Sequence, residues 1–228
     1  MAPSLTRRAP WRPPAALLDA LALLLPVACA GCGEPDRGLC DGCRAALAPR
    51  PFRAESGSGT AAWAALEYGG TAARVIRAFK EEGRTDAVRP LGAALRHSLA
   101  AAVGELDATP REVAVVPSTA AAGRARGYDP VRMLVREAGF APVDVLRAGA
   151  RADQAALGRE ARRVNSRGSF AARRPLTGRR FVLVDDILTT GSTLADAERA
   201  IREAGGRVEA IAVLARTRLR ITRVRADA

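Results

Sequence analysis

Lysine and histidine each occur once in this 228-residue chain, as Lys80 and His97. The one lysine follows Phe79, so the chain contains no GxxxxGK[ST] loop and P-loop nucleotide chemistry is excluded. His97 falls within a helical pattern and reads as an ordinary helix residue, not a catalytic base. Aromatic residues make up 4% of the chain and do not interleave with its basic clusters, which argues against base stacking along a single strand. No run approaches the ~18 consecutive apolar residues of a membrane-spanning helix. No cysteine lies beyond Cys43.

Against these absences stands the segment Phe181 to Ala195, FVLVDDILTTGSTLA. Phe181 to Val184 is a continuous apolar run of the kind expected for a strand covered on both faces. Asp185 and Asp186 then fall at its carboxyl end, where open parallel sheets bind ligands. Thr189, Thr190, Gly191, Ser192 and Thr193 follow, and from Leu194 to Glu203 the pattern is helical. Such a turn offers backbone N–H groups and hydroxyls at the positive end of a helix, which suits a phosphate. Gly191 permits close backbone approach and a conformation that a Cβ would resist. The acidic pair cannot hold that phosphate; its chemistry suits sugar hydroxyls or Mg²⁺. Together these features ask for a sugar phosphate. A receiver-domain pocket would need its carboxylates near the domain start. A purely structural Asp pair would leave the hydroxyl-rich turn without a purpose.

The net charge of +12 and isoelectric point near 11.1 imply an anionic partner, phosphate or nucleic acid. Arg147 to Arg180 contains ten arginines opposed only by Asp153 and Glu160, and Arg216, Arg218, Arg220, Arg223 and Arg225 follow near the end. Arginine suits bidentate phosphate recognition, but each of these side chains reads equally well as solvated or ion-paired.

All four cysteines lie in the pattern Cys29-x2-Cys32-x7-Cys40-x2-Cys43, with Gly31, Gly33, Gly38 and Gly42 as turn residues. Two CxxC pairs can bring four thiolates to one tetrahedral ion, and the expectation is a structural Zn²⁺ site. Iron–sulfur ligation and disulfides are the alternatives. Upstream, Arg7 and Arg8 precede an apolar stretch that superficially resembles a secretion signal. Asp19 interrupts it and Cys29 has a better use in the cluster. Pro14 to Leu25 is therefore expected as an amphipathic helix of a cytoplasmic protein.

Pro49, Pro51 and Ser56 to Gly59 read as a linker, giving two expected domains, 1–55 and 60–228. Ala62 to Tyr68 suits a strand or short helix. A helix capped by Thr71 should run to Lys80, another from Arg89 to Val103, and another from Val131 to Ala138. Strands are expected at Val113 to Val116, Val143 to Leu146 and Val208 to Leu214. The basic, glycine-punctuated segment Ala148 to Ser169 suits a functional lid. Recurring strand–loop–helix units predict an α/β fold with a parallel sheet.

The VDDILTTGST run resembles the signature of the type I phosphoribosyltransferases, which bind phosphoribosyl pyrophosphate (PRPP). The resemblance to one branch, the competence-associated ComF family, covers almost the whole chain. It rests on the four-cysteine knuckle, Tyr68-Gly69, Lys80 and Gly83, Val116-Pro117, Arg126-Gly127-Tyr128, Asp153 to Leu157 with Arg159, Arg162 and Asn165, Phe170, and the signature itself. Where that family usually has Asn-Gln after the Arg-Gly-aromatic triplet, this chain has Asp129-Pro130. The resemblance implies a type I phosphoribosyltransferase-like parallel sheet flanked by helices, with a small N-terminal zinc-ribbon or knuckle segment. It implies that Asp185 and Asp186 hold the ribose diol directly or through Mg²⁺, while Thr189, Thr190, Gly191, Ser192 and Thr193 hold the 5′-phosphate. Lys80, Ser118, Arg126, Gln154 and Arg159 are the candidates for the pyrophosphate and lid. It further implies a role in DNA uptake or processing during natural competence, with single-stranded DNA or DNA-processing proteins as partners. Three roles fit: phosphoribosyl transfer, non-catalytic PRPP sensing by a DNA-binding protein, or an assembly factor whose knuckle docks a protein partner.

Overall fold

The computed structural model describes residues 27–35, 37–118, 126–149 and 168–218. Its core is a six-stranded sheet of β1 (Phe52–Glu55), β2 (Ala61–Glu67), β3 (Glu112–Val115), β4 (Pro142–Val143), β7 (Arg180–Leu188) and β8 (Arg207–Arg216), in the order β1-β2-β8-β7-β3-β4. Only β1 is antiparallel to its neighbour; every other pairing is parallel. The apolar run Phe181 to Val184 is the reason β7 lies inside. Alternate side chains feed both faces, and all four are at most 1% exposed. Val182 and Val184 pack with Val113, Val115, Ala212 and Leu214 beneath α2 (Gly70–Glu81), α3 (Val88–Gly104) and α4 (Pro130–Glu137). Phe181 and Leu183 pack with Ala114, Ile211 and Val213 against α5 (Ser192–Glu203). Phe181→Ala would cost about 3–5 kcal/mol by opening a cavity at that centre.

The helices bury the faces that their spacing predicts. In α2 these are Ala72, Val75, Ile76 and Phe79; in α3, Leu91, Leu95 and Leu99. His97 sits on the exposed side of α3. The expected Thr71 cap is not the one used. The N-cap of α2 is Gly69, without a side-chain bond, and the Thr71 hydroxyl instead accepts from Arg74 at 3.2 Å.

Two expectations change more substantially. The Ser56 to Gly59 stretch is not a linker but the loop of the β1–β2 hairpin, so the sheet begins at Phe52. The segment Val143 to Leu146 is not one strand. It leaves the main sheet after Val143, and Leu146 opens β5 (Leu146–Ala148), which pairs antiparallel with β6 (Phe170–Ala172) in a separate ribbon. Extended chain breaks there because Val145 and Leu146 are drawn into the core beneath α5. That ribbon is the stem of the 149–168 segment: Gly149 N–H donates to the Ser169 carbonyl at 2.7 Å. Asp196 of α5, 4% exposed, pins its far end by accepting from Gly168 N–H at 2.9 Å and Phe170 N–H at 3.0 Å.

The cysteine segment carries one short helix, α1 (Asp41–Ala46), and sits against α2 and the following 3₁₀ turn (Thr85–Ala87). Arg84 donates to the carbonyls of Ala28 at 2.8 Å and Gly38 at 3.0 Å, and Arg74 donates to the carbonyl of Gly31. The expected helix over residues 14–25 lies outside the described residues, as do Gln154 and Arg159. Among the described residues, no helix is long and apolar enough to cross a membrane.

Candidate functional site

β7 outruns its neighbour. The β3 pairing ends at Val115–Val184, with one further bond from Val116 N–H to the Val184 carbonyl at 3.0 Å, whereas pairing with β8 continues to Leu188. Asp185 and Asp186 therefore stand on strand backbone, fixed on one side by β8 and open on the side where β3 has stopped. The strand, expected to end at Val184, runs four residues further to Leu188, so both carboxylates lie within it. Asp186 N–H also donates to Asp185 Oδ1 at 2.8 Å.

Lys80, at the end of α2, places its Nζ 2.7 Å from Asp186 Oδ2; the two side chains are 25% and 14% exposed. Among the described residues, Asp185 has no such partner. Burial first, and then the charge of Asp186, push its carboxyl up to about 8, against smaller opposing effects from the Asp186 N–H and Lys80. Asp186 is thus paired with a cation, while burial and its acidic neighbour raise the carboxyl of Asp185. A hard dication with oxygen ligands fits here, since it would supply the charge that lets both ionise.

The neighbouring Arg126-Gly127-Tyr128 loop is tied to the same helix end. The Tyr128 hydroxyl donates to the Phe79 carbonyl, and the two rings lie 5.7 Å apart. Gly127 has φ +71°, the left-handed value that lets the chain turn there. Asp129 and Pro130, the departures from the family pattern, have a local explanation. Asp129 is the N-cap of α4, accepting from Arg132 N–H at 3.1 Å, and Pro130 occupies the first helical position. Ser118, half-buried, ends the described part of the loop after β3.

The turn after β7 forms as its composition suggests. Gly191 is left-handed, φ +78°, and opens α5. Thr190 Oγ1 lies 3.1 Å from Ser192 Oγ, and Ala195 N–H closes the first helical bond to the Gly191 carbonyl at 2.8 Å. Thr189, Thr190 and Thr193 are exposed. The structure therefore brings Asp185, Asp186, Lys80 and the 189–193 turn to one edge of the sheet. Sequence reasoning missed the anchoring roles of Tyr128, Asp129 and Asp196. An Asp before Pro at a helix start was the one available signal.

The cysteines converge on a point. Their sulfurs all lie within 4.8 Å of one another, against about 3.8 Å between sulfurs around tetrahedral zinc, and all four are free thiols. Burial opposes ionisation of Cys29, yet the N–H groups of Cys40, Cys32 and Gly31 outweigh it and bring the thiol down to about 6. Burial raises Cys43 strongly. A Cβ on Gly31 would stand 2.5 Å from Cys43 Sγ, so the turn closes only with glycine. The donor set fits a structural zinc ion.

Residues 126–228 match the family model of the phosphoribosyl transferase domain. The matched segment includes β7, the turn and α5; the knuckle and Lys80 lie ahead of it. A search of the curated proteins finds no match to the chain. The architecture is thus the expected one: a mixed α/β fold with a mostly parallel sheet, flanking helices, a C-terminal segment that matches the phosphoribosyl transferase domain model and an N-terminal four-cysteine cluster.

Many arginines prove to be ion-paired. Arg179 pairs with Glu112, Arg111 and Arg180 with Glu209, and Arg199 with Asp196 and Glu203. These pairs use up part of the charge that might otherwise meet a polyanion.

Proposed function

We propose that the chain binds PRPP at the carboxyl edge of its sheet and acts as a Mg²⁺-dependent phosphoribosyltransferase. The observation that carries this reading is the succession of two strand-held carboxylates and a hydroxyl-rich helix-opening turn, inside the matched transferase domain. On this reading Thr189, Thr190, Gly191, Ser192 and Thr193 take the 5′-phosphate, and Asp185 and Asp186 accept from the ribose hydroxyls. The same carboxylates would hold Mg²⁺, which when bound would supply charge for the leaving pyrophosphate. Lys80 exchanges Asp186 for pyrophosphate oxygens, helped by Ser118, Arg126, Gln154 and Arg159. Catalysis then comes from positioning and from fixed countercharge as positive charge develops at C1.

The knuckle ahead of a transferase domain supports assignment to the ComF type, with structural Zn²⁺, a cytoplasmic location and a role in DNA uptake during competence. The net charge of +12 favours a second reading, in which the pocket senses PRPP and arginines hold single-stranded DNA. Steep loss of DNA binding with added salt supports it.

The deciding experiment is calorimetric titration of zinc-loaded protein with PRPP and Mg²⁺, beside the Asp185→Asn/Asp186→Asn double variant. Binding by the parent alone supports the pocket. Pyrophosphate release with a defined acceptor base then separates transfer from sensing. Absence of heat and of thermal stabilisation at millimolar PRPP overturns the reading.

A further inference from the structure

A phosphate-holding turn has to be formed before its ligand arrives, because ordering it on binding weakens affinity. The turn at 189–193 is built around a buried, left-handed glycine, with Thr189, Thr190 and Thr193 exposed around it. What holds it is the β1–β2 hairpin. The Ser56 carbonyl lies against Gly191 so closely that a Cβ there would stand 2.0 Å from the oxygen. From the other side, a Cβ on Gly57 would stand 3.4 Å from the Thr190 carbonyl. Glycine faces glycine across this contact, and a side chain on Gly191 would force the two loops apart.

The hairpin is itself fixed. Ser56 is 2% exposed; its hydroxyl donates to the Thr60 carbonyl at 2.7 Å and accepts from Ser58 N–H at 3.3 Å. Thr60 Oγ1 donates to Glu198 Oε1 at 2.7 Å. Glu198 is on α5, the helix that the turn opens, so the hairpin touches the unit at Gly191 and again about two helical turns later. A clasp closed at two points holds the turn against the helix.

We propose that the β1–β2 hairpin loop, through Ser56, Gly57 and Thr60, is a positioning element of the 5′-phosphate site. It presets the 189–193 turn for the phosphate of a phosphorylated sugar. The inference rests on the PRPP-pocket reading. It gives Gly191 a reason that sequence alone does not: the close backbone approach is made by the hairpin.

The test uses the full zinc-loaded chain and three variants, Thr60→Val, Thr60→Ser and Ser56→Ala. Ribose 5-phosphate and Mg²⁺-pyrophosphate affinities are measured by calorimetry, and hydrogen exchange is followed at the amides of the 189–193 turn. Thr60→Val should weaken ribose 5-phosphate about tenfold, the worth of one hydrogen bond to a charged acceptor. Pyrophosphate affinity should hold, Thr60→Ser should restore binding, and exchange in the turn should quicken in Thr60→Val and Ser56→Ala. Unchanged ribose 5-phosphate binding in Thr60→Val, or equal loss for both ligands, overturns the inference. If the unsubstituted chain binds neither ligand, the pocket reading itself falls and takes the inference with it.

Discussion

Lys80 reaches across from the end of α2 to lie 2.7 Å from Asp186 and not from Asp185. A cation beside two adjacent carboxylates divides their roles. Asp186 gains an ion-pair partner, and Asp185 is left with burial and a neighbouring carboxylate.

If Lys80 passes to pyrophosphate when ligand binds, removing it costs affinity. Lys80→Met should weaken PRPP binding about tenfold or more, on the scale of a lost charged hydrogen bond. Unchanged or tighter binding by calorimetry would instead mean that the lysine only plugs the pocket.

Asp185 makes stability fall as pH rises. Its carboxyl holds its proton in the fold to about 8, while the unfolded chain releases it near the ordinary carboxylate value. The native state therefore binds more protons between about pH 4 and 8, and a penalty accumulates over that window. Asp185→Asn should remove it. In chelator, without ligand, melting curves should show the variant gaining on the parent from pH 5 to 8. The gain at pH 8 should be about 2–4 °C, for relief of about 1 kcal/mol. The same variant should lose Mg²⁺-PRPP binding.

Arg84 bonds two knuckle carbonyls and Asp86 at once. Arg84→Ala should destabilise the chain by about 1–3 kcal/mol by orphaning those acceptors. It should also speed zinc loss to a competing chelator, followed with a colorimetric zinc indicator. A variant that keeps its zinc as long as the parent would show that the cysteines alone hold the segment.

Gly191→Ala meets both a left-handed backbone, φ +78°, and the Ser56 carbonyl. It should abolish ribose 5-phosphate binding and quicken exchange in the 56–60 loop as well as its own turn. Exchange confined to its own turn would mean that the two loops do not move together.

The elements legible in sequence were those whose burial is local. The run Phe181 to Val184, the Val75, Ile76 and Phe79 stripe and the CxxC spacing each carry their own pattern. β1 was not legible. Phe52 to Glu55 is short, preceded by Pro49 and Pro51 and followed by Ser-Gly repeats, and only pairing with Ala61 to Ala64 makes it a strand. The break between Val143 and Leu146 was hidden because so short a β-prone stretch reads alike whether it serves one sheet or two. At the site, carboxylates and turn were readable because they are contiguous. The Lys80–Asp186 pair, the Tyr128 anchor and the hairpin clasp join distant segments and leave no spacing to read.

The sheet also ends bluntly on both sides. β1 has four residues, with Arg53 and Glu55 turned outward, and Arg53 is engaged by Glu105 and stacked over Trp63. β4 has two residues and begins with Pro142, which has no N–H to offer. Edges this short and charged are poor templates for another strand. A peptide partner of this sheet is thus turned away from strand addition, and self-association by edge pairing is resisted at both margins.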